Sequence, residues 1–296
     1  MRFPLSAHAL RALAWLAGSP GPWLRQAIAH RLAARECRRR GATVRVIECN
    51  LRLTGLDPRL THASLVQTYL TLLESLRFWT RPRAANLCAI TEVVGLPHLE
   101  AAERQGPVVI VAPHYGNWEL LVQWIAARRP LTLIYTRGRS SAFDAFLRLA
   151  RERGGVSAVP ADVHGMKPLL RALQRGETLG ITPDQTPDDA GGLWSPFFGV
   201  PSLTMTLLHR LGTRHPEARF LLAAAERLPG GRFRMVIEPL PDAVTSGPVQ
   251  AGLDALNSAV EAFARRDLAQ YQWTYKRFKG QRPDEAPVNP YWPECY

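Results

Sequence analysis

Four short runs of apolar and β-branched residues, Val108–Val111, Leu131–Thr136, Val156–Val159 and Thr178–Thr182, succeed one another at intervals filled by helical patterns. Helices are predicted from Asn117 through Leu120, Leu121 and Trp124 to Arg128-Arg129-Pro130, from Ser141 to Arg153, and from Pro168 to Gln174. Parallel strands cannot be joined by tight hairpins and need a crossover between them, so this alternation predicts an α/β fold. The expected architecture is a single domain with a central, mostly parallel sheet flanked by helices. In such sheets the functional groups gather at the carboxyl ends of the strands.

Around this block the chain reads as follows. Two short helices over residues 5–35 are separated by Ser19-Pro20-Gly21-Pro22, and they mix Trp15, Leu16, Trp23 and Leu24 with Arg11, Arg25 and Arg31. That composition suits an amphipathic segment lying among lipid headgroups, and the cations of Arg35-Glu36-Cys37-Arg38-Arg39-Arg40 add to it. The apolar stretch is interrupted by His8 and Arg11 and is too short to span a bilayer. Residues 1–40 are therefore read as a membrane-associating helical segment and residues 41–296 as the α/β domain. Helical spacing continues from Val44 to Leu76, with a turn at Gly55-Leu56-Asp57-Pro58. A strand at Ile90–Gly95 and a helix from Leu96 to Arg104 precede the central block. After it, a loop at Thr186–Gly192 is read as a candidate lid. There follow a helix from Leu203 to His209, a strand at Phe220–Ala224, a turn at Pro229-Gly230-Gly231 leading to a second strand, and a long helix over Pro248–Gln270.

The 37 Lys and Arg residues against 25 Asp and Glu give a formal charge of +12, which favours anionic partners. Charge alone does not choose among nucleic acid, an anionic membrane surface and an acidic carrier protein. No nucleic-acid motif accompanies it. Cys37, Cys49, Cys88 and Cys295 are far apart with no C-x-x-C pair, so neither a zinc site nor a disulfide framework is expected, and no metal is implied.

The first strand of the block runs into Ala112-Pro113-His114-Tyr115-Gly116-Asn117-Trp118-Glu119. On one continuous helix His114 and Glu119 would point about 140° apart. If the strand ends at His114, Tyr115-Gly116 turns and Asn117 caps the helix, Glu119 falls in the first helical turn, from which it can reach back to the imidazole. A carboxylate on one ring nitrogen fixes the tautomer and leaves the other nitrogen to accept a proton. A turn histidine and a first-turn carboxylate also have purely structural uses, and the pair by itself leaves both readings open.

The same stretch resembles the His-x4-Asp/Glu signature of glycerolipid-type acyltransferases, and its Asn-Trp-Glu form is similar to that of the bacterial lipid A late acyltransferases. Thr182-Pro183-Asp184-Gln185, Pro196-Phe197-Phe198-Gly199, Gln272-Trp273-Thr274-Tyr275-Lys276-Arg277-Phe278-Lys279 and the early Arg45-Val46-Ile47-Glu48-Cys49-Asn50-Leu51 agree in order, so the resemblance covers roughly residues 40–282. Two features depart from the pattern: the N-terminus is shorter and more polar than the hydrophobic anchor of the family, and Pro183-Asp184-Gln185 stands where lysophosphatidate acyltransferases carry Pro-Glu-Gly.

The resemblance implies an O-acyltransferase that moves a fatty acyl chain from acyl-ACP or acyl-CoA, used as co-substrate with no other cofactor, to a hydroxyl of a lipid A precursor. His114 would be the general base and Glu119 its orienter. Asn117 and Trp118 of the same motif would bind substrate, and Arg137, by its place after the second strand, would bind a phosphate or steady developing charge. Asp184 would position the acceptor or hold Arg137, assisted by Gln185, Phe197 and Phe198 would shape an acyl channel, and Lys276 and Arg277 would meet an anionic partner. The expected partners are acyl carrier protein or a CoA thioester, an anionic membrane surface and a lipid acceptor, and no nucleic acid. The expected location is the cytoplasmic face of the bacterial inner membrane. Two other readings remain: a same-fold acyltransferase acting on an aminolipid, glycolipid, aryl-polyene lipid or lysophospholipid, and a basic membrane-binding protein without catalysis.

Overall fold

The computed structural model describes residues 7–135, 141–161, 163–187, 191–279 and 289–296. Helices α1 (Ala7–Ala17), α2 (Pro22–Arg39), α3 (Ala42–Leu53), α4 (Leu60–Phe78) and the short α5 (Arg83–Leu87) precede strand β1 (Ile90–Val94) and helix α6 (Leu96–Gln105). The α/β block then runs β2 (Val108–Val111), α7 (Trp118–Ala126), β3 (Leu131–Tyr135), α8 (Ser141–Arg153), β4 (Val156–Pro160), α9 (Val163–Gln174) and β5 (Thr178–Ile181). A hairpin of β6 (Gly192–Phe197) and β7 (Val200–Met205) leads to α10 (Leu207–Arg214). The chain continues with β8 (Arg219–Leu228), β9 (Arg232–Pro239) and α11 (Val249–Ala264).

Seven strands form one sheet in the order β1-β9-β8-β2-β5-β3-β4. β8, β2, β5, β3 and β4 are parallel, and only the β8–β9 pair is antiparallel. The expected central, mostly parallel sheet is present. Successive residues of β2 enter opposite cores: Val109 and Val111 pack with Leu179, Leu222 and Phe263, while Val108 and Ile110 pack with Leu120, Leu133 and Leu221. Both faces are thus covered, which is why β2 is continuously apolar rather than alternating. It is also the strand from which the chain crosses to β3, while β8 returns on its other side, and ligands collect at such a point.

Two expectations need correction. The predicted helix from Leu203 to His209 starts four residues later, because Val200–Met205 pairs back onto Gly192–Phe197 as a strand. The turn of that hairpin is Phe198-Gly199, both with positive φ, at 49° and 74°. A phenylalanine in that conformation gives no Asn-Gly or Asp-Gly signal in the sequence. The long final helix also stops early, at Ala264, and a 3₁₀ turn at Leu268–Gln270 carries the chain back toward the sheet.

Helix α2 presents Arg25, Ala29 and Ala33 at four-residue spacing toward α4, and the two alanines let the backbones approach. Helix α4 in turn buries Glu74, whose carboxylate is held by Arg227 of β8 through Nε to Oε1 at 2.9 Å and Nη2 to Oε2 at 2.6 Å. The two side chains are 3% and 6% exposed. Removing one partner of such a pair leaves an uncompensated buried charge, so Glu74→Ala is expected to cost about 3–5 kcal/mol in urea unfolding. A loss below about 1 kcal/mol would show that the pair is solvated.

Among the described residues no helix is long and apolar enough to cross a membrane. Helices α1 and α2 nevertheless expose Leu13, Trp15, Leu16, Trp23 and Leu24, with Trp23 80% accessible.

Candidate active site

β2 ends at Val111, and Ala112 adds one further sheet bond, its N–H donating to Ile181 O at 2.9 Å. The turn that follows is fixed by backbone bonds on every side. His114 O accepts from Gln272 N at 2.9 Å, Gly116 N donates to Gln270 O at 3.1 Å, and Asn117 N donates to Ala225 O at 2.9 Å. Gly116 has φ 64°, and a Cβ there would stand 2.0 Å from Ala225 O, so no other residue fits this crossing. Asn117 occupies the N-cap position of α7, as expected. Its side chain does not cap, however: Nδ2 donates to Glu74 Oε2 at 3.1 Å and ties the turn to the buried pair behind it.

The turn presents the His114 imidazole to Asp184, three residues past the end of β5. Nδ1 lies 2.8 Å from Oδ1, and the His114 backbone N–H donates to Oδ2, also at 2.8 Å. Burial pushes the Asp184 carboxyl up, but the charge and hydrogen bonds of His114 outweigh it and hold the carboxyl below its ordinary range. An ionised carboxylate only accepts, so Nδ1 carries a proton, and in the neutral ring the lone pair is on Nε2. The Gln185 amide nitrogen stands 3.3 Å from Nε2 and is a donor, in agreement with that tautomer. Burial and then the nearby Asp184 charge push the Tyr271 phenol well above the usual range, so it stays neutral.

Glu119 is in the first turn of α7, as expected, but the contact expected between it and His114 is made by Asp184. The Glu119 carboxylate receives Arg151 of α8, Nη2 to Oε1 at 2.7 Å, with both side chains buried. The Arg151 guanidinium lies 4.8 Å from the Trp118 ring centre, and the Trp118 ring stands edge-on to His114 at 6.1 Å. Glu119 and Arg151 therefore brace the tryptophan that walls the imidazole. Arg151 escaped the reading of the sequence because it sits in the last turn of a helix, 32 residues from Glu119, where a lone arginine reads as a dipole partner.

Of the remaining expected residues, Arg137 lies outside the described residues, as does part of the loop read as a lid. Phe197 and Phe198 are buried and pack among Tyr271, Trp273 and Phe278. Arg277, expected on a surface patch, is 3% exposed. Its guanidinium donates to Leu203 O at 2.5 Å and to Thr204 Oγ1 at 3.1 Å, locking the β7 strand. Lys276 donates to Cys295 O at 3.0 Å and stacks on Tyr296. The early Asn50 meets the C-terminal block in space: its Nδ2 donates to Trp273 O at 2.6 Å and Tyr275 O at 2.8 Å. Among the described residues no three His, Cys, Asp or Glu groups converge as metal ligands.

A histidine held by a buried carboxylate at the end of a central strand suits many proton transfers, and homology narrows the class. The sequence profile described as bacterial lipid A biosynthesis acyltransferase matches residues 57–280, most of the chain. The chain belongs to that family. Similar proteins include a lipid A biosynthesis lauroyltransferase of Escherichia coli, 26% identical over 71% of this chain and 67% of its own length. A lipid A biosynthesis acyltransferase of Haemophilus influenzae is 24% identical over 66% of this chain and 61% of its own, and a lipid A biosynthesis palmitoleoyltransferase of Escherichia coli is 24% identical over 66% and 63%. The match spans about two thirds of each of these relatives. In this lipid A family member the matched residues of the family profile take in β2, the His114 turn, Asp184 and the C-terminal block through Lys279.

Proposed function

We propose that the protein transfers a fatty acyl chain from a carrier thioester, acyl-ACP or acyl-CoA, to a hydroxyl of a lipid A precursor. The observation that carries this reading is the His114 imidazole, fixed by Asp184 through Nδ1 so that Nε2, beside the Gln185 amide, is the ring nitrogen left to act as a base, in a chain of the lipid A acyltransferase family. Nε2 takes the acceptor hydroxyl proton as the oxygen attacks the thioester carbonyl. The tetrahedral intermediate collapses by breaking the C–S bond, and the imidazolium returns its proton to the departing sulfur, which leaves as a thiol and restores the neutral imidazole. Asp184 keeps the ring in register and stabilises its charged form, as a triad carboxylate does without becoming protonated. Glu119 acts through Arg151 and Trp118 in shaping the wall beside the imidazole. Arg137, after β3, remains a proposed partner for phosphate or developing charge, and Lys276 for an anionic partner.

The acceptor is tested by mass spectrometry of lipids from a strain lacking the gene. Loss of one secondary acyl chain from lipid A is expected, whereas an unchanged lipid A profile would move the acceptor to another lipid.

Membrane association, at the cytoplasmic face of the inner membrane, belongs to the same proposal. Its support is the apolar surface of Leu16, Trp23 and Leu24 beside the cations of α2. Changing those three exposed residues to serine is expected to lower flotation with anionic vesicles severalfold while leaving the melting temperature unchanged. Undiminished flotation would place the membrane contact elsewhere on the protein.

A further inference from the structure

A cavity of about 230 Å³ lies between the start of α2, the middle of α4 and the β8–β9 turn, and His114 is not among its walls. One wall is Arg25, 94% buried by its 6% exposure. A guanidinium carries five N–H donors. Among the described residues this one makes a single hydrogen bond, Nη1 to Pro20 O at 2.7 Å. Its other nitrogens are not sealed in the core, so their open edge faces the cavity.

Arg25 and Arg227 line the cavity together with Glu74 and Asp267. Burial lowers the Arg25 pKa, Glu74 offsets part of that, and Arg77 and Arg227 lower it further. Glu74 is already engaged by Arg227 and by Asn117. Asp267, at the rim, accepts from Ala269 N and Gln270 Nε2 and so closes its own turn. Among the described residues no carboxylate pairs with Arg25. Gln67, another wall, gives its Oε1 to Arg227 Nη1, leaving its amide N–H groups as donors, and Gln26 adds a second amide at the open side. A buried cation of this kind is costly unless an anion meets it. The unengaged N–H groups of Arg25, Gln67 and Gln26 offer donors to an acceptor-only group.

We propose that this cavity is a phosphate-binding site, taking the phosphate of a lipid headgroup or of a soluble phosphate ester. A lipid source fits its position at the first turn of α2, beside the exposed Trp23 and Leu24. The site is separate from acyl transfer, and its test reads binding rather than turnover, so either proposal can fail alone.

The full-length protein is melted in sodium chloride and in sodium phosphate of equal ionic strength and pH. With phosphate a hundredfold above its Kd the wild type is expected to melt about 5 °C higher. Arg25→Met is expected to lose that rise, as is Gln26→Glu, which sets a like charge at the open side, and Gln26 is exposed so that the fold is left intact. The second variant decides the matter if the first does not fold. No rise in the wild type, or an equal rise in the variants, overturns the proposal. Flotation with phosphatidylcholine vesicles, with and without phosphatidic acid, then identifies the source. A preference for phosphatidic acid that Gln26→Glu abolishes assigns a lipid headgroup, and a preference that Gln26→Glu retains assigns a soluble phosphate ester.

Discussion

Replacing His114 by alanine is expected to lower acyl transfer by about 10²–10⁴-fold, the usual contribution of a positioned general base, with secondary structure and vesicle binding unchanged. The acceptor hydroxyl is a poor nucleophile at neutral pH, and Nε2, the ring nitrogen not engaged by Asp184, is the group proposed to take its proton. The backbone of residue 114 keeps its place in the variant, because Gln272 N still bonds to its carbonyl and its own N–H still reaches Asp184 Oδ2. Asp184 therefore retains a partner after the ring is gone, and the melting temperature is expected to fall by only a few degrees. A single-turnover assay with labelled acyl-ACP measures the chemical step directly. Transfer within tenfold of wild type would remove the base from the mechanism.

The alternation of β2 to β5 with helices was legible because parallel strands covered on both faces must be apolar throughout, and Val108–Val111 and Thr178–Ile181 are. The His114 turn was legible for a local reason as well: Gly116 supplies the positive φ the turn needs, and Asn117 is a residue type favoured at the N-cap position it occupies, although its side chain bonds to Glu74 instead. What joins this turn to the rest of the site was not legible. Asp184 is 70 residues from His114 and Arg151 is 32 from Glu119, and no periodicity relates such positions. A carboxylate five residues from the histidine looks like its partner in the sequence, yet α7 carries Glu119 toward α8 while β5, adjacent to β2 in the sheet, delivers Asp184 to the ring. Arg277 shows the same limit. In a run of Lys, Arg and aromatics it reads as a surface cation, but the chain folds it inward onto the carbonyl of Leu203.

The two carboxylates of the site are separated by a second pair of variants. Asp184→Asn keeps the shape but offers an amide where the carboxylate accepted two hydrogen bonds from His114, so the ring is expected to lose its fixed tautomer and transfer to fall by up to about 10⁴-fold. Glu119→Gln leaves Asp184 and the tautomer in place and weakens only the hold on Arg151, so its loss is expected in the positioning of substrate against Trp118, with a higher KM and a smaller fall in kcat. Acid unfolding adds a readout that does not depend on substrate. The folded Asp184 carboxyl lies below its ordinary range, so its stabilisation is complete above about pH 4 and disappears as pH falls through the folded value. The stability gap between wild type and Asp184→Asn should therefore hold from neutral pH down to about 4 and narrow below it. A gap that stays constant into stronger acid, together with equal kinetic losses in the two variants, would return the orienting role to Glu119.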